Sequence, residues 1–329
     1  MSTIRQILVP IKELKGQRMP ALLKAAQIAR ATGAAVELFH ALTEPMMNDA
    51  FDGVQARIVD LEQELRQNAM RRLEALADRL RLHSIRVTVS ATWDFPAHEA
   101  IIRRARVIKA DLIIASRHAG KHRLPWLLKL TDWELIRMSP VPVLLVKNSR
   151  PYRHPSVLAA IDPARANDKP QMLDRDILRT ADKLAGALHG HLHAVHAYAR
   201  YPLNVPPEAL SSGMIVKLEE DAQHAAQKRF SRAIQPQHIA RRRQHLLARL
   251  PAQAIAEAAA KSACAILVMG ALSRSGIKRL LIGNTAEQVL DALTCDVLIV
   301  KPAAFRSRVP SASRGPRVQT VVNAPFVFV

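Results

Sequence analysis

The chain repeats itself, and that fact limits its fold more than any other. Asp111-Leu-Ile-Ile-Ala-Ser116 is answered by Ala265-Ile-Leu-Val-Met-Gly270, and Pro142-Val-Leu-Leu-Val-Lys147 by Asp296-Val-Leu-Ile-Val-Lys301. Both pairs share an offset of 154 residues, Asp111 to Ala265 and Pro142 to Asp296, with no gap between them. Near the start of each copy, Ile7-Leu-Val-Pro-Ile11 matches Val157-Leu-Ala-Ala-Ile161, with Lys12 following the first and Asp162 the second. A repeat this long is a duplicated domain, and 329 residues accommodate two domains of roughly 150 residues each.

Within a copy, short apolar runs alternate with longer segments whose apolar residues recur every three or four positions, such as Pro20 to Thr32 and Val54 to Leu82. The pattern is βαβαβαβαβ. In the second copy it predicts strands near 156–161, 191–198, 238–248, 264–269 and 296–300, and helices near 171–188, 207–233, 252–262 and 284–293. Alternation of this kind implies parallel strands with right-handed crossovers and helices on both faces. The expected class is α/β: two tandem, doubly wound, Rossmann-like parallel five-stranded sheets, each in the order 3-2-1-4-5. The domains are expected at 1–149 and 155–302, joined by the Pro-containing segment Asn148 to Pro155. Residues 303–329 contain Ser, Pro and Arg, no acid and no helical period, so a basic, disordered tail is expected.

Composition excludes several classes. The apolar stretches fall short of the 18 to 20 residues, roughly, of a membrane helix. The first residues lack an export signal, so a cytoplasmic address is the expectation. Only Cys264 and Cys295 are present, without metal spacing, and they read as reduced core thiols. Lys and Arg number 48 against 28 acids, a formal net charge of +20, which attracts anions without choosing among them. With three Trp, three Tyr and seven Phe there are few stacking groups, so sequence-specific nucleic-acid readout is not expected. Arg241-Arg-Arg243, Arg249 and the arginines at 71, 72, 79 and 81 read as solvated faces. The run His189-Gly-His-Leu-His-Ala-Val-His196 places His191 and His193 on one strand face, but no carboxylate or cysteine completes a metal set. No Walker A loop, nucleophile elbow or H-E-x-x-H motif occurs, and no catalytic constellation is found.

The most informative stretch follows the fourth strand of the second copy: Met269-Gly-Ala-Leu-Ser-Arg-Ser-Gly-Ile-Lys-Arg-Leu-Leu-Ile-Gly-Asn-Thr-Ala-Glu287. Glycine lets a backbone approach an anion, while Asn284 and Thr285 can cap the next helix, whose N-terminus favours phosphate. In an open parallel sheet, ligands bind beyond the carboxyl ends of the strands where the strand order reverses, which here places Asp162 and Gly270 on either side of one crevice. Asp162 there accepts hydrogen bonds from a ribose or a base.

These features resemble the universal stress protein family. The likeness rests on the strand-Asp start, Val268-Met269-Gly270, Gly283-Asn-Thr-Ala-Glu-Gln-Val-Leu290 and Cys295-Asp-Val-Leu-Ile-Val-Lys-Pro302, and it covers residues 1 to about 302. Thr131-Asp-Trp-Glu-Leu-Ile136 and Pro140-Val-Pro-Val-Leu-Leu-Val-Lys147 look most like the E-type tandem members. ATP-binding members carry a glycine, two residues, a second glycine, nine residues, then glycine and Ser or Thr. This chain offers Gly270, Ser273 in place of the second glycine, then Gly283 and Asn284. The resemblance thus implies a stress-response binding or regulatory factor with weak binding of ATP or another adenine nucleotide, with Mg, in the second domain. Its site would comprise Asp162, Met269, Gly270, Ser273, Gly283, Asn284 and Thr285. The first copy has Ser116, Ala119, Lys129 and Leu130 at the motif positions and Lys12 for the acid, a degenerate site. Family members pair through their last strands, so the chain resembles a covalent dimer, and a homodimer of the tandem chain stays open. The family's roles lie in survival of starvation, oxidative stress or DNA damage. Two alternatives remain: a slow ATP hydrolase or phosphotransferase in the same crevice, and a basic adaptor for nucleic acid or anionic lipid.

Overall fold

The computed structural model describes residues 4–14, 19–43, 52–117, 125–165, 172–199, 211–270, 288–290 and 292–314. The first half contains β1 (Gln6–Pro10), α1 (Pro20–Thr32), β2 (Ala35–Leu42), α2 (Asp52–Arg81), β3 (Val87–Trp93), α3 (Ala97–Val107), β4 (Leu112–Ser116), α4 (Pro125–Met138) and β5 (Val143–Val146). The second contains β6 (Ser156–Ala160), α5 (Leu173–Ala187), β7 (His191–Ala197), α6 (Ser212–Ile234), β8 (Gln244–Leu247), α7 (Pro251–Lys261), β9 (Cys264–Gly270), a short helical segment at 288–290, and β10 (Asp296–Val300). Helix α1 stops where Gly33 takes a left-handed φ of 72° and returns its N–H to the Ala29 carbonyl, a conformation that favours glycine. The strand expected over 238–248 is cut to β8, because His238 turns left-handed and a 3-10 turn occupies 241–243.

The two five-stranded sheets expected from the repeat are continuous. A single ten-stranded sheet runs β3-β2-β1-β4-β5-β10-β9-β6-β7-β8, parallel within each half and antiparallel where β5 meets β10. Leu144 faces Leu298 at that seam. Each half would otherwise present an apolar edge strand with unpaired backbone groups, and the pairing removes both edges. One core layer beneath the sheet draws on α1, α2, α5 and α6, with Leu73, Ile177 and Phe230 among its residues. The opposite layer draws on α3, α4, α7 and the segment near 290, with Ile102, Leu135, Ala258 and Leu290. Both layers run across the seam. Among the described residues no helix is long and apolar enough to cross a membrane.

A buried ionic network fastens the seam. Asp296, fully buried, accepts the Lys147 N–H at 2.8 Å on one oxygen and the Tyr152 hydroxyl at 2.6 Å on the other. Lys24 of α1, 1% exposed, approaches that second oxygen at 3.2 Å and lies over the Tyr152 ring, 3.5 Å from its centroid. Its ammonium also donates to the Arg150 carbonyl. Burial pulls the Lys24 pKa down while Asp296 raises it, and burial beside Asp296 pushes the Tyr152 phenol well up. The segment expected to be a linker is therefore clamped: Gln27 adds hydrogen bonds to both the carbonyl and the N–H of Tyr152.

Residues 303–314 depart from the disordered tail expected of them. They cross to the first half, where Val309 is 4% exposed within the core layer and its carbonyl accepts from Arg106 at 2.8 Å. Arg314 donates its backbone N–H to Asp94 and its guanidinium to Glu99, both at 3.0 Å. Arg103 holds the same two acids from below, in bidentate contact with Asp94 at 2.6 and 2.7 Å. The tail needs no period of its own, because buried charges on α3 and the loop before it supply its partners.

Removing one member of the buried network strands the others. Asp296→Ala is expected to cost about 3–5 kcal/mol, since Lys24 keeps its burial and loses its counter-charge. Tyr152→Phe should cost about 2 kcal/mol, as expected for a hydrogen bond to a charged group. Urea unfolding checks both, with Arg81→Ala, an exposed ion pair on α2, as the variant that leaves the midpoint in place.

Candidate functional site

Strand order reverses at β6 and β9, whose carboxyl ends open the crevice. Asp162 lies just beyond β6, its side chain 37% exposed. Its backbone N–H donates to Asp174 at 3.2 Å, and its carboxylate lies 3.9 Å from Nδ1 of the buried His196 on β7. His196 Nδ1 is also 3.3 Å from the Ile161 carbonyl, so a bond there requires that nitrogen to carry the proton. The ring stacks on Phe230, fixing it beneath the crevice floor.

Gly270 ends β9 opposite Val300 and one position past the last pairing with β6. Its lack of a side chain has a packing reason: a Cβ would fall 2.7 Å from a Leu173 methyl and 3.3 Å from Ile177. Leu173 opens α5 and seals the crevice from beneath. Met269 is less available than the sequence suggests. Its side chain is in the core and its backbone sits in register with Ala160 on one side and Ile299 on the other. Ser273, Gly283, Asn284 and Thr285 lie outside the described residues. The structure thus brings Asp162 and Gly270 to one crevice and places Met269 within the sheet.

Two features went unread in the sequence. Met172, 52% exposed beside α5, has a left-handed φ of 94°, a conformation that costs a non-glycine residue about 1–3 kcal/mol and clusters at ligand sites. Asp174 and Asp176 occupy the first turn of α5. They turn that helix start against phosphate, although a bare N-terminus would attract it.

The first half treats the same position differently. Lys12, beyond β1, pairs with the buried Asp132 of α4, and the Ser116 hydroxyl accepts the Ala21 N–H of α1 at 3.1 Å. His40 repeats the His196 contact, 2.7 Å from the Ile11 carbonyl. At the 154-residue offset the counterpart of Asp132 is Ala286. One half therefore carries Lys12 paired with Asp132, and the other Asp162 and Ala286 at the corresponding sequence positions.

Away from the crevice, His193 of β7 and His245 of β8 stack with centroids 5.5 Å apart and ring nitrogens 3.2 Å apart. Burial, then the neighbouring His245 and Arg243, pull the His193 pKa down to about 4. Among the described residues no group of three or more His, Cys, Asp or Glu is placed to hold a metal ion.

Comparison with known proteins bears on both halves. Residues 3–147 and 157–301 each match the model of the universal stress protein family. The chain is 26% identical over 262 residues to universal stress protein E of Photorhabdus laumondii, covering 75% of this chain and 77% of that protein. It is 27% identical over 230 residues to universal stress protein E of Escherichia coli K12, covering 68% and 71%. The crystal structure of a functionally unknown protein from Pseudomonas aeruginosa PAO1 matches with a TM-score of 0.66 at 26% identity, over 91% of this chain and 93% of that one.

The histidine pair sets an acid limit. An unfolded histidine takes its proton near pH 6.5, whereas His193 in the folded chain resists until about 4. The unfolded state thus binds more protons in that window, and stability falls as pH drops from about 6.5 to about 4. Replacing His193 with Gln should flatten this part of the profile, read from urea midpoints at pH 7.0, 5.5 and 4.5.

Proposed function

The chain belongs to the universal stress protein family, and on that footing we propose that it is a stress-response regulatory factor whose second half binds an adenine nucleotide or a related anionic ligand. The observation that carries this reading is the contrast between the halves. In the first, Lys12 pairs with Asp132 and the Ser116 hydroxyl accepts the Ala21 N–H of α1. In the second, an exposed carboxylate and a glycine stand at the matching strand ends.

Asp162 would accept from the ribose hydroxyls or the exocyclic amine of the base. Gly270 would border the ligand, with Met269 holding the strand in place behind it. The acids of α5 repel phosphate, so the phosphates would turn toward Ser273, Gly283, Asn284 and Thr285, where a glycine and two helix-capping residues precede the helical segment at 288–290. Of the group's chemistry, the phosphates supply negative charge and Mg supplies its neutralisation. With Ser273 and Asn284 replacing the usual glycine and hydroxyl, binding would be weak. The first half would serve as a brace for the second.

Native mass spectrometry of the purified chain with ATP, ADP and AMP tests this. The expected result is one nucleotide per chain, with affinity reduced at least tenfold by Asp162→Ala and unchanged by Asp132→Asn in the first half. A chain that stays empty at millimolar nucleotide, or that loses binding only with Asp132→Asn, overturns the reading.

A further inference from the structure

Cys264 and Cys295 are the chain's two cysteines, 31 positions apart in sequence, and the fold sets them side by side. Strands β9 and β10 are parallel neighbours, registered from Asp296 with Ile266 through Val300 with Gly270. Simple alternation would separate the two thiols: Cys295 shares a face with Val297 and Ile299, and Cys264 would share one with Ile266 and Val268. The ladder between β6 and β9 slips at this point, however. Ser156 lies opposite Cys264, while the next residue, Val157, lies opposite Ile266. The bulge absorbs Ala265 and reverses the alternation. Cys264 consequently packs into the core layer that holds Cys295, Val297 and Ile299, and Ala265 into the opposite layer.

Both thiols are free and pack into one core layer at the start of neighbouring strands. The two are not equivalent. The neighbouring Cys295 thiol, together with burial, pushes the Cys264 pKa up. Cys295 is drawn down, first by the Cys264 thiol and also by the Lys147 ammonium, against burial and the Asp296 carboxylate, which push it up; Lys147 stands at the seam donating to the Leu290 and Leu293 carbonyls at 2.6 Å. Cys295 is buried, 8% exposed, and Cys264 is half-buried.

We propose that Cys264 and Cys295 form a reversible dithiol–disulfide pair that is oxidised by hydrogen peroxide. Cys295 precedes Asp296, whose partner is Ile266, so Cys264 lies one residue out of register with it; strands about 4.8 Å apart and one residue step of about 3.3 Å keep the Cα separation within the range of about 4.4–6.8 Å that a disulfide allows. Cys295 loses its proton to solvent, its thiolate attacks one peroxide oxygen, the O–O bond breaks, and Cys295 becomes a sulfenic acid with release of hydroxide. Cys264 gives up its proton to that hydroxide, and its sulfur attacks the sulfenic sulfur. The S–S bond forms, the S–O bond breaks, and the departing hydroxide takes a proton from solvent to leave as water. In sum two thiols lose two electrons and two protons, and one peroxide becomes two waters. The link closes a loop of residues 265–294, which contains Ser273, Gly283, Asn284 and Thr285.

The full chain, reduced and freed of reductant, is exposed to hydrogen peroxide, denatured in iodoacetamide and weighed. The expected product has lost two hydrogens, takes up no alkyl group, yields one cross-linked peptide joining residues 264 and 295, and returns to the doubly alkylated mass after dithiothreitol. In Cys264→Ser, dimedone should trap a sulfenic acid at Cys295. In Cys295→Ser, Cys264 should remain alkylatable at the same dose. Two thiols that stay alkylatable in the wild type, conversion to sulfinic or sulfonic acids without linkage, or links formed only between chains would each overturn the proposal. Should a variant fail to fold, the wild-type mass and peptide map decide alone.

Discussion

The seam between β5 and β10 is the constraint on which the rest of the structure depends. Two apolar strands that would each be a sheet edge pair with one another, and one buried carboxylate, Asp296, ties the joint to the linker and to α1. The arrangement is not duplicated, because the residue at the 154-residue offset from Asp296 is Pro142. A single Asp thus serves both halves, and the segment after β5 has to pass Tyr152 beneath it. The lysines that end the two strands do repeat. Lys147 crosses to carbonyls near 290, and Lys301 approaches the Arg137 carbonyl of α4 at 3.4 Å, with burial and Arg137 bringing its pKa down to about 8. Each half supplies a cation to the end of a helix in the other, where the exposed carbonyls favour it.

Duplication preserved the frame and let the chemistry at its openings diverge. The strand cores are interchangeable runs of aliphatic residues, so Ile113 and Leu267 do the same work in each sheet half. At the strand ends no such pressure applies. Lys12 and Asp132 satisfy one another in the first half, while the second has Asp162 and Ala286 in their places. This exchange of residues at the strand ends, rather than any change in the strand cores, separates the halves.

Legibility in the sequence followed the range of the forces involved. The strand runs and the helices α1, α2, α5, α6 and α7 were readable because burial imposes a local period on them. The repeat also pointed to the two strand ends that carry Asp162 and Gly270. The purpose of Gly270 was only half readable, since the contact with Leu173 that excludes a Cβ depends on packing between elements. The anchored tail escaped for the same reason: Val309 and Arg314 find partners about 200 residues earlier in the chain, at Arg106, Asp94 and Glu99. The pairing of the cysteines rests on a one-residue slip between β6 and β9, which no composition or period announces.

The excess of positive charge acquires a different meaning once burial is known. Glu37, Asp94, Glu99, Asp132 and Asp296 are all buried against basic partners. Those pairs cancel without altering the net +20, so the excess is carried by a surface with fewer acids to offset it, Arg241, Arg242 and Arg249 among the exposed residues. Such a field attracts any anion, and at physiological salt it is screened beyond about 8 Å. It can raise the encounter rate for a phosphate-bearing ligand, but it acts on every such ligand alike. Discrimination must come from short-range contacts, and on the proposed reading those in the second half centre on Asp162, with Asp174 and Asp176 beside it. On that reading Asp162 favours a ligand that also offers hydrogen-bond donors, as a ribose or an adenine does and a bare phosphate does not.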